Sequence, residues 1–317
     1  MTSSLIPLIV TYNRLPFLKK TLKKWLELPV SRIVIVNNNS TDGTKNFLDN
    51  LSKKDSRVTA IHLKKNIGGA GGFKKGLMFI HKQIKDYEWI VLQDDDAYPI
   101  KESIEYFLFQ KEKDEFTAYM AAVYNIYGKP CKMNIPGYNP FKNFKFLLKT
   151  ILFGAKGFHI SEKSFFQENT LKVDFASFVG FFIHKKLIQH VGYPKACFFL
   201  YADDLEYTLR ITKKGFSIEF DPNIKFIHFN TTLVKEKKVY HPLWKAYYTY
   251  RNNIVIYRQL SHKFFPIVLF IKILDWLFKI RYYSDKWKYV KLIATAIKSG
   301  YNLKCKEQHE KIIQKFK

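Results

Sequence analysis

Trp89-Ile90-Val91-Leu92-Gln93-Asp94-Asp95-Asp96-Ala97 joins a short apolar run to three consecutive carboxylates. The run at 89–92 reads as a buried strand. Adjacent like charges repel and resist burial, so the triplet needs cations or plain solvation. At the C-terminal end of a strand in an open α/β sheet, it sits where ligands bind. Residues i and i+2 of an extended stretch point the same way. Asp94 and Asp96 can therefore share one hard, oxygen-preferring cation such as Mg²⁺ or Mn²⁺. Taken alone, the triplet reads equally well as an acidic turn. The flanking sequence separates the two readings.

Upstream, three more apolar runs end in polar clusters. Residues 5–10 run into Thr11-Tyr12-Asn13-Arg14, and 33–36 into Asn37-Asn38-Asn39-Ser40. Residues 58–63 run into Asn66-Ile67-Gly68-Gly69-Ala70-Gly71-Gly72. Between them lie helical patterns, with Leu15, Leu18, Leu22, Trp25 and Leu26 on one face and lysines opposite. This β-α-β-α-β-α-β order predicts a mostly parallel sheet flanked by helices. Every polar cluster follows a strand, so all are expected on one edge of the sheet.

Residues 102–111 read as a helix and 117–123 as a strand. Residues 124–174 show Gly, Pro and aromatics without clear period and read as long loops and short elements. Residues 175–184 read as a strand, and 216–220 and 225–228 as two more. Asp203-Asp204-Leu205-Glu206 opens a helical stretch that Gly215 stops, with an acidic first turn suited to the helix dipole. From 243 the chain is aromatic, basic and helical. Residues 264–280 are very apolar but carry Lys272 and Asp275, which favours an interfacial or packed helix over a spanning one. The expected organisation is an α/β domain over 1–240 and a helical, membrane-associating region over 241–317.

Composition narrows the partners. The chain has 317 residues, 47% of them hydrophobic, enough for a sizeable core. Its three cysteines form no CxxC spacing, so neither a disulfide framework nor a zinc ribbon is expected. Met1-Thr2-Ser3-Ser4 runs straight into a strand, so no signal peptide is expected. Lys and Arg number 53 against 27 Asp and Glu, a net charge of +26. That suits nucleic acid, an anionic membrane or phosphorylated substrates.

Glycines 68, 69, 71 and 72 allow close backbone approach to an anion at a helix start. They match neither GxxxxGK[ST] nor GxGxxG. Asn38, Asn39 and their neighbours offer amides that suit a base or ribose, or an ordinary turn. Asp204 is a candidate base. His228, ending a strand, becomes a metal ligand only where the fold brings it to the acidic triplet.

The succession Thr11-Tyr12-Asn13-Arg14, Asn37-Asn38-Asn39-Ser40, Asn66 to Gly72, Gln93-Asp94-Asp95-Asp96-Ala97, Asp203-Asp204-Leu205-Glu206-Tyr207 and Ile227-His228 resembles family 2 glycosyltransferases of the GT-A fold. The resemblance covers roughly 5–229. The Gly-rich loop and triple Asp look most like bacterial galactofuranosyltransferases, with rhamnosyltransferases using dTDP-rhamnose as the alternative. The resemblance implies an inverting transfer from a nucleotide sugar, UDP-galactofuranose foremost, with Mn²⁺ or Mg²⁺. It implies nucleotide-sugar contacts at Thr11, Arg14, Asn38, Asn39, Asn66, Gly68, Gly69, Gly71, Asp94 and Asp95. It implies metal ligation by Asp94, Asp96 and His228, and a catalytic base at Asp204 with Asp203 and Glu206 beside the acceptor. The family's larger galactan polymerases carry an extra N-terminal β-domain, whereas this chain starts directly at its first strand, a departure that counts against processive polymerisation.

The expected acceptor is a lipid-linked saccharide at the cytoplasmic face of an anionic membrane, in cell-surface polysaccharide synthesis. A glycoside hydrolase using Asp94, Asp96 and Asp204 is one rival, but needs no nucleotide loop. A basic nucleic-acid binder is the non-enzyme rival, yet no RNP, zinc-finger or helix-turn-helix pattern occurs, so nucleic acid is not expected as a partner.

Overall fold

The structure, a computed structural model, describes residues 5–109, 113–229, 239–302 and 309–317. The first part alternates β1 (Leu5–Thr11), α1 (Leu15–Leu26), β2 (Ile33–Asn37), α2 (Thr44–Lys54), β3 (Val58–His62), α3 (Gly68–Gln83) and β4 (Trp89–Asp94). Then come β5 (Ala97–Pro99), α4 (Lys101–Phe109), β6 (Thr117–Asn125), α5 (Phe144–Phe153), β7 (Leu171–Val173) and β8 (Phe181–His184). They are followed by α6 (Lys185–Val191), α7 (Asp203–Lys213) and β9 (Ser217–His228). The chain closes with α8 (Trp244–Ser261), α9 (Phe265–Phe278), α10 (Lys286–Tyr301) and α11 (His309–Phe316).

One nine-stranded sheet runs β3-β2-β1-β4-β8-β6-β9-β5, with β7 beside β9. Its β1–β4 half is wholly parallel, and β8 then pairs antiparallel to β4. The central strands β1 and β2 are buried along their whole length, so their runs are unbroken rather than alternating. Pro7 fits inside β1 because pairing with β2 begins only at Leu8, so its missing N–H leaves no gap there. The polar clusters after β1, β2, β3 and β4 do share one sheet edge.

Four expectations change. Gly68 to Gly72 are not a loop but the opening turns of α3. Added Cβ atoms at Gly72 and Gly76 would strike Val10 and Leu8, so these glycines let α3 lie close on β1. The strand expected over 175–184 begins only at Phe181, after Gly180 at φ 70°. The two short strands at 216–228 are one strand, β9, bulged where its pairing with β6 shifts register at Asp221. The region read as loops holds α5. In addition, Cys197 is disulfide-bonded, a bridge that the cysteine spacing did not announce.

The main apolar core fills both faces of the sheet. A second cluster lies among α8 to α11, built on Tyr247, Tyr250, Trp276, Tyr289 and Phe316. Among the described residues no helix is long and apolar enough to cross a membrane.

Candidate active site

The acidic triplet sits at the end of β4, and each carboxylate has a different surrounding. Asp95 is buried and accepts from Thr11 Oγ1 at 2.6 Å, while its backbone carbonyl accepts from Thr21 Oγ1 at 2.8 Å. Asp96 is also buried, and Arg14 Nη2 lies 2.6 Å from its Oδ2. Gln93 fixes the turn below them: its Nε2 donates to Ala97 O at 2.7 Å, and its Oε1 accepts from Trp25 Nε1 at 2.9 Å. Asp94 is half-buried, and no hydrogen bond reaches its side chain among the described residues.

β5 pairs with β9 so that Ala97 faces His228, which brings the imidazole to the triplet. His228 Nε2 lies 3.2 Å from Asp96 Oδ1, and Nδ1 lies 2.9 Å from Asn134 Oδ1. An Nδ1–H donated to Asn134 leaves Nε2 as the ligating nitrogen of a neutral ring. One donor atom from each of Asp94, Asp96 and His228 lies within 4.8 Å of the others.

Electrostatics agree with a cation site. Burial, then the charge of Asp96, push the Asp94 carboxyl up to about 6. Burial also pushes Asp95 up to about 7, against the pull of Arg14. At Asp96 the upward push of burial is outweighed by His228 and Arg14, and its pKa falls below the ordinary value. Burial lowers the His228 pKa, but Asp96 outweighs it and pushes the imidazole up to about 10. Without metal, His228 and Asp96 thus form an ion pair. A divalent cation on the same donors takes over the role of that proton. Two carboxylates and an imidazole suit Mn²⁺ or Mg²⁺, so the residues present fit the metal.

Asp203 and Asp204 open α7. Asp204 Oδ1 accepts from Leu205 N at 2.7 Å. Burial, opposed by that hydrogen bond and reinforced by Asp94, pushes Asp204 up to about 6. Burial and then Asp204 push Asp203 well above the carboxylate range, and Asp94 adds to it. The two acidic sets therefore feel each other's charge, although Asp203 lies 107 positions after Asp96 in the chain.

The model of the family described as "Glycosyl transferase family 2" matches residues 8–190. The chain belongs to this family. The matched span holds Thr11 through Asp96 and stops short of Asp203, Asp204 and His228, which only the fold brings to the site. No curated protein matches the chain. Among solved structures, a mannosyltransferase from Pyrobaculum calidifontis, in complex with GDP-Man and Mn²⁺, aligns over 97% of this chain and 89% of its own, at 14% identity and TM-score 0.54. GalNAc-T7 with UDP, GalNAc and Mn²⁺ aligns over 72% of this chain at 12% identity and TM-score 0.54, and this chain spans 44% of it. These likenesses show the fold, GT-A.

The remaining expected contacts of this family 2 glycosyltransferase divide between framework and open surface. Asn38 is buried: its Oδ1 accepts from Ile67 N at 2.9 Å and its Nδ2 donates to Gly68 O at 3.0 Å. Asn66 Oδ1 accepts from Gly68 N at 2.8 Å. Gly71 packs on Ile67, and Gly68, at φ 75°, leaves room for the Phe199 carbonyl. Asn39 is exposed, and Gly69 faces open space. Glu206, expected beside an acceptor, is 1% exposed, with Lys195 Nζ at 2.8 Å and Arg210 Nη2 at 3.0 Å. Both its oxygens are engaged inside the glycosyltransferase fold.

Two residues escaped the sequence reading. Phe199, Tyr201 and Ala202, just before Asp203, all have positive φ. For residues with a Cβ this costs energy and persists only where the surroundings impose it. The imposing groups are on α8. Asn252 Nδ2 donates to the carbonyls of Phe198, Leu200 and Tyr201 at 2.9, 2.9 and 2.7 Å. Arg251 Nη2 donates to those of Cys197 and Phe198 and to Asn252 Oδ1. The Arg-Asn pair at 251–252 carries no motif pointing at a turn fifty residues upstream, so only the fold reveals it.

Proposed function

We propose that this chain is an inverting, metal-dependent hexosyltransferase that moves galactofuranose from UDP-galactofuranose to a lipid-linked saccharide. Rhamnose from a dTDP donor is the second reading. The observation carrying the metal-dependent part is the convergence of Asp94, Asp96 and His228 within 4.8 Å, opposite Asp203 and Asp204. The donor lies along the edge formed by Arg14, Asn39 and Gly69, with Thr11, Asn38, Asn66, Gly68, Gly71 and Asp95 framing it. When bound, Mn²⁺ or Mg²⁺ supplies positive charge to the leaving diphosphate. Arg14, charged and next to Asp96, adds to that charge. Asp204 accepts the proton of the acceptor hydroxyl, whose oxygen attacks the anomeric carbon opposite the leaving group. Asp203 lies beside the acceptor.

We read residues 1–240 as the transfer domain and 241–317 as a helical region that attaches peripherally to the inner face of an anionic membrane. Support comes from the separate aromatic core of the helices and from α9, which exposes Ile267, Phe270 and Ile271 beside Lys272. A thermal-shift panel of UDP, dTDP, GDP and their sugars, with and without Mn²⁺, tests the donor reading. The expected result is stabilisation by UDP and its sugars that needs the metal. Stabilisation indifferent to metal overturns it.

A further inference from the structure

Helix α5 carries its apolar face outward. Seven of its ten residues, FKFLLKTILF, are apolar and none is buried. Phe144, Leu148, Ile151 and Leu152 follow the i, i+4, i+7, i+8 spacing that a surface helix normally turns to the core. Here they are 76, 44, 71 and 64% exposed. Lys145 and Lys149 stand next around the helix, both exposed. No Asp or Glu occurs anywhere from residue 116 to 161. The face is therefore apolar, and the only charged residues within α5 itself are the lysines Lys145 and Lys149.

The helix is also firmly held. Asn143 Oδ1 caps it by accepting from Phe146 N at 3.0 Å, and Phe146 stacks on Tyr138 with ring centroids 4.9 Å apart. Asp174 accepts from Asn139 N at 2.8 Å and Lys142 Nζ at 2.9 Å, while its backbone carbonyl accepts from Thr212 Oγ1 of α7 at 3.0 Å. The root of α5 is thus joined to the helix that begins with Asp203 and Asp204.

We propose that α5 is an interfacial helix that lays this face into an anionic lipid bilayer, its lysines on the headgroups. At about 1.5 Å per residue, ten residues are too short to span. An apolar stripe bordered by lysine suits partial insertion and electrostatic attraction together. The proposal shares its partner with the membrane reading above, but it stands on a different element. Anchored through Asp174, α5 orients the α7 end of the cleft toward molecules carried in the leaflet.

The test is vesicle sedimentation of the full chain on phosphatidylcholine, with and without phosphatidylglycerol. The proteins compared are the parent, Leu148→Ser/Ile151→Ser/Leu152→Ser, Lys145→Gln/Lys149→Gln, and Phe270→Ser/Ile271→Ser/Leu274→Ser in α9. Thermal unfolding confirms folding of each, and light scattering gives its mass. The α5 triple variant is expected to lose anionic partitioning by about tenfold or more, and the lysine pair to lose its salt-sensitive part. A further chain carrying both the α5 and the α9 triple changes should bind less than the α9 variant alone. Unchanged partitioning of the α5 triple variant overturns the proposal. So does a parent dimer that this variant breaks without altering vesicle binding, which makes the face a contact for a second copy. Loss confined to the α9 variant overturns α5 and spares the wider membrane reading; loss confined to α5 does the reverse. No arm needs a donor, so failure of the transferase reading shows separately.

Discussion

Asn252 Nδ2 lies 2.7 Å from the carbonyl oxygen of Tyr201, so a helix of the C-terminal region holds the turn that delivers Asp203 and Asp204. Asn252→Leu keeps the volume and removes the donor. Stability should fall by about 1–3 kcal/mol, the usual cost of buried carbonyls left unmatched. Turnover should fall by about 10²-fold, as for a small misplacement of a reacting group. Donor affinity by calorimetry should hold. Asn252→Asp keeps an acceptor for Arg251 but turns a carboxylate on three carbonyls, and should fare no better. Equal losses in donor affinity and turnover would make the contact merely structural.

Asp94→Asn should abolish the extra thermal stabilisation that Mn²⁺ adds to a nucleoside diphosphate. The parent should lose the same increment in EDTA and regain it with excess Mn²⁺. A mutant that keeps the increment would move the cation away from Asp94.

Activity and stability should respond to acid with opposite signs. Asp204 is pushed up to about 6 and must be ionised to accept a proton, so transfer should fall below about pH 6. Asp94, also about 6, shares this limb, so the apparent pKa belongs to the two carboxyls together. For stability, carboxyls with raised folded-state pKa bind protons more tightly than in the unfolded chain. Their penalty is present above about 6 and is relieved as pH falls toward the unfolded value near 4. His228, pushed up to about 10, contributes stability that is full below its unfolded value and is lost as pH rises through 10. In EDTA, the melting temperature should therefore rise from pH 7.5 to 5.5. Asp204→Asn should keep donor binding, lose about 10²–10⁴-fold in turnover and flatten the acid limb. A parent rate flat down to pH 5 would remove Asp204 as the base.

Gly69 and Gly72, three positions apart, should behave differently. A Cβ at Gly72 would stand 2.5 Å from Val10 Cγ1, so Gly72→Ala should cost about 1–3 kcal/mol in urea unfolding. A Cβ at Gly69 meets nothing within 4 Å, and alanine is the better helix former there. Gly69→Ala should unfold no earlier than the parent yet bind the donor more weakly. Unchanged donor affinity would place the nucleotide elsewhere.

The four parallel strands and their polar ends were readable because each is an apolar-rich run of five to seven residues, buried throughout in β1 and β2, that leads into a polar turn. His228 was readable only as a possibility, since the pairing of Ala97 with His228 is set by β5, three residues long and hidden in the acidic turn. The glycines misled because the same residues serve anion loops and close helix–strand packing; Val10 and Leu8, far upstream, decide between them. The burial of Glu206 was not legible: Arg210 stands at the i, i+4 spacing of an ordinary surface ion pair, and Lys195, on the preceding segment, completes the pairing only in the fold. α5 stayed hidden because its apolar pattern is helical but buries nothing, so its neighbours gave it no context.

The hydrogen bond from Trp25 to Gln93 gives this molecule a built-in optical probe. The indole N–H donates to the residue just before Asp94, deep in the core and out of reach of solvent quenchers. Any shift of the acidic turn alters that bond, and with it the emission of Trp25. Replacing Trp244, Trp276 and Trp287 with phenylalanine leaves Trp25 on α1, bonded to Gln93 of β4, and Trp89, the first residue of β4. Ultraviolet emission of such a chain follows events at the acidic turn in real time, with no label attached.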